Sequence, residues 1–169
     1  MIKIPRTFQE KFWKGKFGSD YIDRHETRKW VRNNKKFFIN CLKSTKKSNI
    51  RSLIEFGSNV GLNIIALNKI LKLNRIDAVE INSKAFEILK KLKYVNPVNS
   101  SVLDFKPQKK FDLVLSKGFL IHINPKKLMS VYDKMFNSCK KNGYILICEY
   151  YSPKPDSVNY RGNTNVLFK

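Results

Sequence analysis

The sequence predicts an α/β fold built on an open parallel sheet. Three observations carry this. Apolar runs of strand length alternate with stretches of helical periodicity. The run Leu53-Ile-Glu-Phe56 passes through a Gly-x-x-x-Gly loop, Gly57 to Gly61, into apolar positions at helical spacing from Leu62 to Leu71. The polar residues of chemical interest then fall just after the predicted strands, on the rim where such sheets bind ligands.

The chain has 169 residues, 42% of them hydrophobic. That is enough for one domain with a core and too apolar for a disordered chain. No run approaches the ~18 apolar residues of a membrane helix, and the N-terminus does not read as a signal peptide, so a cytoplasmic protein is expected. Cys41, Cys139 and Cys148 are odd in number and widely spaced, which suits neither a disulfide framework nor a zinc knuckle. With His25 and His122 as the only histidines, no metal site is expected.

The formal net charge is +21. It is compatible with an anionic partner such as nucleic acid, a membrane surface or an acidic small molecule. The lysines occur in every segment and do not alternate with aromatics along one stripe. They read as solvated faces in a Lys-, Asn- and Ile-rich composition, so nucleic acid is not the favoured partner.

In chain order, Phe8, Phe12-Trp13, Phe17 and Tyr21 form an aromatic segment broken by Gly15 and Gly18. These rings either pack against the domain edge or cap a ligand, with Tyr21 and Arg24 facing it. A helix is predicted from about Glu26 to Lys43. Residues 1–48 are read as an N-terminal helical cap and 49–169 as the ligand-binding domain.

Strand one is Leu53 to Phe56, and strand two runs from Arg75 to Glu80-Ile81. Asn82 or Ser83 caps the next helix, through about Lys93. A short third strand, Tyr94 to Asn99, contains Pro97. Strand four is Phe111 to Leu115, followed by a loop from Ser116 to Pro125. A helix is expected from Pro125 to Cys139, ended by Asn142-Gly143. Strand five, Tyr144 to Cys148, is expected to be fully buried.

The loop lacks the middle glycine of the dinucleotide fingerprint. Glu55 stands two residues before its first glycine, where a carboxylate favours a ligand carrying an amino group over a pyrophosphate. Glu80 follows Gly57 by 23 residues, close to the ~20 expected of a ribose-binding carboxylate. Loop and carboxylate together indicate a nucleoside-containing ligand.

These residues resemble the class I S-adenosylmethionine-dependent methyltransferases, whose sheet is Rossmann-like. More narrowly they resemble the methylase family associated with pseudaminic acid biosynthesis. The matching stretches are Phe12 to Arg24, Leu53 to Asn63, Phe111 to Pro125, Glu149 to Pro155 and Tyr160-Arg-Gly162. The resemblance implies S-adenosylmethionine as cofactor, with Glu55, Gly57, Ser58, Asn59, Gly61 and Asn63 around its methionine part. It puts Glu80 and Ile81 at the ribose, Ser101 and Val102 beside adenine, and Ser116, Lys117 and Gly118 near the sulfonium. Many relatives carry an aspartate at Ser101; here adenine recognition is left partly to backbone groups or Asp104.

His122 is the implied base, with Tyr21 and Tyr150 as alternative catalytic groups, and Tyr151, Arg24 and Arg161 would hold a small acidic sugar-type acceptor. His122 reads equally as a structural residue. An RNA methyltransferase or a non-catalytic cofactor-binding protein are the competing readings. Ser116-Lys-Gly-Phe119 departs from the Asp/Asn-Pro-Pro-Tyr/Phe signature of base-amine enzymes. The family continues with a helix and two more strands, so the sheet is expected to lack its last two strands. The fifth strand then lies at an edge that a second chain could cover.

Overall fold

Five parallel strands in the order β3-β2-β1-β4-β5 organise the chain. The computed structural model describes residues 6–23, 27–154, 156–160 and 163–168. The strands are β1 (Ser52–Phe56), β2 (Arg75–Glu80), β3 (Asn96–Asn99), β4 (Phe111–Lys117) and β5 (Cys139–Cys148). The helices are α1 (Phe8–Lys14), α2 (Lys16–Ile22), α3 (Thr27–Cys41), α4 (Leu62–Asn68), α5 (Ser83–Lys90) and α6 (Leu128–Asn137).

β1 is central and buried along its whole length. Its alternation divides the interior in two. Leu53 joins Phe38 of α3 and Ile64 and Leu67 of α4 on one face. Ile54 and Phe56 join Val114, Val131 and Met135 beneath α6 on the other. A strand covered on both faces reads as a continuous apolar run, which is why the sequence marked it clearly. Val31, Phe38 and Leu42 bring α3 into this core. β3 carries Pro97 at a sheet edge, where a missing donor is tolerated.

Several expected boundaries move. Gly15 separates α1 from α2, whereas Gly18 lies inside α2. β4 continues through Ser116 and Lys117, which were expected in the loop. Pro125 opens a short 3-10 turn, Pro125–Lys127, and α6 proper stops at Asn137. Asn142 does not end that helix. It lies within β5 in a left-handed conformation (φ 64°), beside an irregularity in the β4–β5 register. An apolar pentad at a sheet edge does not reveal such a bulge, since the extra residues are polar and turn-like.

β5 is at the sheet edge, as expected, but it is not fully buried: Ile145 and Ile147 are 40% and 45% exposed. Two strands do follow, β6 (Ser157–Tyr160) and β7 (Asn163–Phe168). Among the described residues they pair with each other, antiparallel, in a separate sheet. No helix of the described residues is long and apolar enough to cross a membrane.

Candidate functional site

A single turn of backbone sets the geometry. Gly57 (φ +73°) and Gly61 (φ +80°) are both left-handed, a region that costs other residues a clash at Cβ. At Gly57 the reason is also spatial: a Cβ there would come within 2.2 Å of the Phe119 ring. Asn59 is left-handed too (φ 46°), as asparagine tolerates. The turn aims the Asn59 N–H at the end of β2, where it donates to Glu80 Oε2 at 2.7 Å. The Asn82 N–H donates to Glu80 Oε1 at 2.7 Å. Burial pushes the Glu80 carboxyl pKa up, and the N–H groups of Asn82, Asn59 and Ile81 pull it down. Each oxygen keeps further acceptor capacity.

Glu55 lies below this turn and is wholly buried. Alternation along β1 points it at the α3–α4 face. There Asn63 Nδ2 donates to Glu55 Oε1 at 2.7 Å. Asn63 Oδ1 in turn accepts from Asn34 Nδ2 at 2.9 Å. Glu55 Oε2 is buried with no hydrogen-bond partner. Burial pushes its pKa up to about 8; the Asn63 bond and the Lys117 charge oppose this.

The rim opens on a cavity of about 810 Å³, ample for a nucleoside-sized ligand and an acceptor together. The structure brings most of the sequence-predicted residues to its wall. From the loop come Gly57, Ser58, Asn59 and Asn63; from β2 and the end of β3, Glu80, Ile81, Ser101 and Val102. Lys117, Gly118, His122, Tyr21 and Tyr150 complete the set.

Others lie elsewhere. Glu55 and Ser116 are fully buried, and Gly61 serves as the N-cap of α4. Tyr151 is 87% exposed and is not on the cavity wall, which the chain leaves after Tyr150. Arg24 and Arg161 lie outside the described residues. Asp104, an expected alternative for base recognition, forms an ion pair with Arg6.

Sequence reasoning missed Glu10 and the long-range partners of Asn82 and Glu149 on this wall. Glu10 of α1 is 8% exposed and accepts the hydroxyl proton of Ser101. Its other oxygen closes a capping box with Thr7. The Thr7-x-x-Glu10 spacing before an apolar segment is a readable helix-start signal, but nothing in it reveals a second partner 91 residues away. Asn82 was read only as a cap. It does cap α5, and its Nδ2 also donates to the Trp13 carbonyl at 3.0 Å and Ser19 Oγ at 3.2 Å. Glu149 Oε1 accepts from the Phe119 and Leu120 N–H groups, each at 3.0 Å, and from Ser116 Oγ at 3.3 Å. That holds the segment carrying His122, whose ring lies 4.4 Å from that of Trp13. Among the described residues no cluster of His, Cys, Asp or Glu could hold a metal ion.

The fold is shared with solved structures. The plantazolicin methyltransferase BpumL in complex with SAH superposes with a TM-score of 0.66 at 16% identity, covering 82% of this chain and 56% of that one. The sugar N-methyltransferase KedS8 from Streptoalloteichus sp. gives 0.64 at 15% identity, covering 97% and 66%. At these identities the likeness is one of fold. A chemotaxis protein methyltransferase of Borreliella burgdorferi is 31% identical over 106 residues, 62% of this chain and 35% of its own length. The chain thus spans about a third of that relative and little more than half of BpumL. Residues 54–147, more than half of the chain, match the model described as a methyltransferase domain, and the chain belongs to that family.

Proposed function

We propose that the protein is an S-adenosylmethionine-dependent methyltransferase acting on a small, acidic, sugar-type acceptor, of the kind found in the pseudaminic acid pathway or a related surface glycan. One observation carries the cofactor reading. The left-handed turn and the β2 carboxylate meet through the Asn59–Glu80 bond at the mouth of a cavity large enough for cofactor and acceptor. The residues present fit the group. Glu80 offers remaining lone pairs for ribose hydroxyls, and Glu55 backs the wall through Asn63, with one buried oxygen left without a partner.

When bound, the cofactor supplies an already electrophilic methyl group, so alignment accounts for much of the acceleration. The chain supplies the rest. Glu80 and the glycine loop orient one reactant. Lys117, which lines the cavity, gives an acidic acceptor a cationic partner. His122 is the residue assigned to take a proton from an acceptor hydroxyl, steadied by Trp13 and by Glu149's grip on its turn. Aromatic wall residues such as Tyr21 and Trp13 suit the apolar face of a sugar ring. The sugar N-methyltransferase among the solved structures supports the acceptor class.

The test is calorimetry with S-adenosylmethionine and S-adenosylhomocysteine, followed by methyl transfer to nonulosonic acid precursors. Turnover on the sugars with none on RNA is expected. Preferential methylation of RNA would overturn the acceptor reading, and absence of cofactor binding would overturn the whole.

A further inference from the structure

We propose that Glu10, on α1, is the residue that selects the base of the nucleoside ligand, by accepting a hydrogen bond from an exocyclic amine. The inference rests on the reading of Glu80 as the ribose carboxylate. Given that, the base extends past β2 toward β3. β2 and β3 are paired there, Glu80 opposite Asn99, and the Ser100 N–H donates to the Glu80 carbonyl at 3.0 Å. The residues beyond, Ser101 and Val102, line the cavity, as does Ile81. Ile81 and Val102 offer apolar surface for a ring; a polar group must read its edge.

Ser101 is poorly placed to be that group by itself. Its hydroxyl proton is committed to Glu10 Oε1, and its oxygen already accepts from the Leu103 N–H at 3.0 Å. Ser101 Oγ keeps one neutral lone pair, whereas the carboxylate acceptor on the wall at this end of the cavity is Glu10. Its Oε2 is occupied by the N–H groups of Arg6 at 2.6 Å and Thr7 at 3.0 Å, which leaves Oε1 as the oxygen shared between Ser101 and the cavity. An ionised carboxylate accepts only. It favours a 6-aminopurine, which donates, and disfavours a 6-oxopurine, whose carbonyl would face it lone pair to lone pair. Base selection is thus delivered by a helix outside residues 54–147, the span of the family match.

The experiment is titration calorimetry of wild type, Glu10→Gln and Glu10→Ala with S-adenosylhomocysteine and its deaminated analogue S-inosylhomocysteine. Glutamine retains the capping box and turns its amide N–H₂ toward the cavity, so α1 is kept while the polarity of the reader is reversed. Thermal melting confirms the fold of each variant. Wild type is expected to prefer the adenosine ligand by about tenfold or more, the scale of a charged hydrogen bond. Glu10→Gln should lose or invert that preference. Glu10→Ala should weaken the adenosine ligand and leave the inosine ligand unchanged or tighter. An adenine-over-hypoxanthine ratio unchanged in both variants would overturn this proposal and leave the cofactor reading standing. Failure of wild type to bind either ligand would overturn both.

Discussion

The Asn63 amide donates to the Glu55 carboxyl at 2.7 Å and leaves the second Glu55 oxygen buried without a partner. A protonated carboxyl suits that place better than an ionised one, and its pKa stands at about 8 against about 4.3 for a glutamate in the unfolded chain. The folded state therefore binds a proton that the unfolded state has released between those two values. The stabilisation is full below about pH 4, declines as pH rises and is gone above about pH 8. Glu55→Gln should lack this loss, so the unfolding free energies of the two proteins, measured by denaturant titration, should diverge from pH 5 to pH 9 by on the order of a few kcal/mol. Parallel profiles would mean that Glu55 is ionised in the folded protein.

Glu80 is tested through cofactor affinity. Removing its side chain takes away any bonds to the ribose and releases the Asn59 and Asn82 N–H groups that it holds. Glu80→Ala should weaken S-adenosylhomocysteine binding by ~1–3 kcal/mol, measured by calorimetry. Equal affinity in the two proteins would remove Glu80 from the site.

Asn82 joins the N-terminal helices to the sheet. Its Oδ1 accepts from the Lys84 and Ala85 N–H groups, while its amide holds Trp13 and Ser19. Asn82→Ala should cost ~1–2 kcal/mol through the lost cap alone. It should also raise amide exchange in α1 and α2 more than in β1. Uniform exchange across the molecule would show that the cap is all it provides.

Gly18 tests the same junction with the opposite expected sign from an ordinary helix. Glycine to alanine inside a helix normally stabilises by roughly 0.5–1 kcal/mol. Here the added Cβ would stand 1.9 Å from the Trp13 carbonyl oxygen and 3.0 Å from Asn82 Nδ2. Gly18→Ala should therefore lower the melting temperature. An increase would mean that α2 packs less tightly than this.

His122 separates chemistry from binding. His122→Ala should abolish or sharply reduce methyl transfer to the sugar acceptor while S-adenosylhomocysteine affinity is retained, by calorimetry beside a turnover assay. Full activity in the variant would make His122 a packing residue for Trp13.

The sequence by itself determined the parallel α/β plan, the glycine turn and the carboxylate at the end of β2. These are local or strictly periodic features: a strand buried on both faces is apolar throughout, and a left-handed turn asks for glycine at Gly57 and Gly61. It also put Asn82 at a helix start, because capping is read from neighbouring residues. What only the tertiary structure decided involves partners far apart in the chain. Glu10 meets Ser101, Asn34 meets Asn63, and Glu149 secures the turn that carries His122. The exposure of β5 was settled in the same way. Ile145 and Ile147 carry the same apolar signal as Ile54, and only the position of a strand within the sheet decides whether that signal meets a core or water.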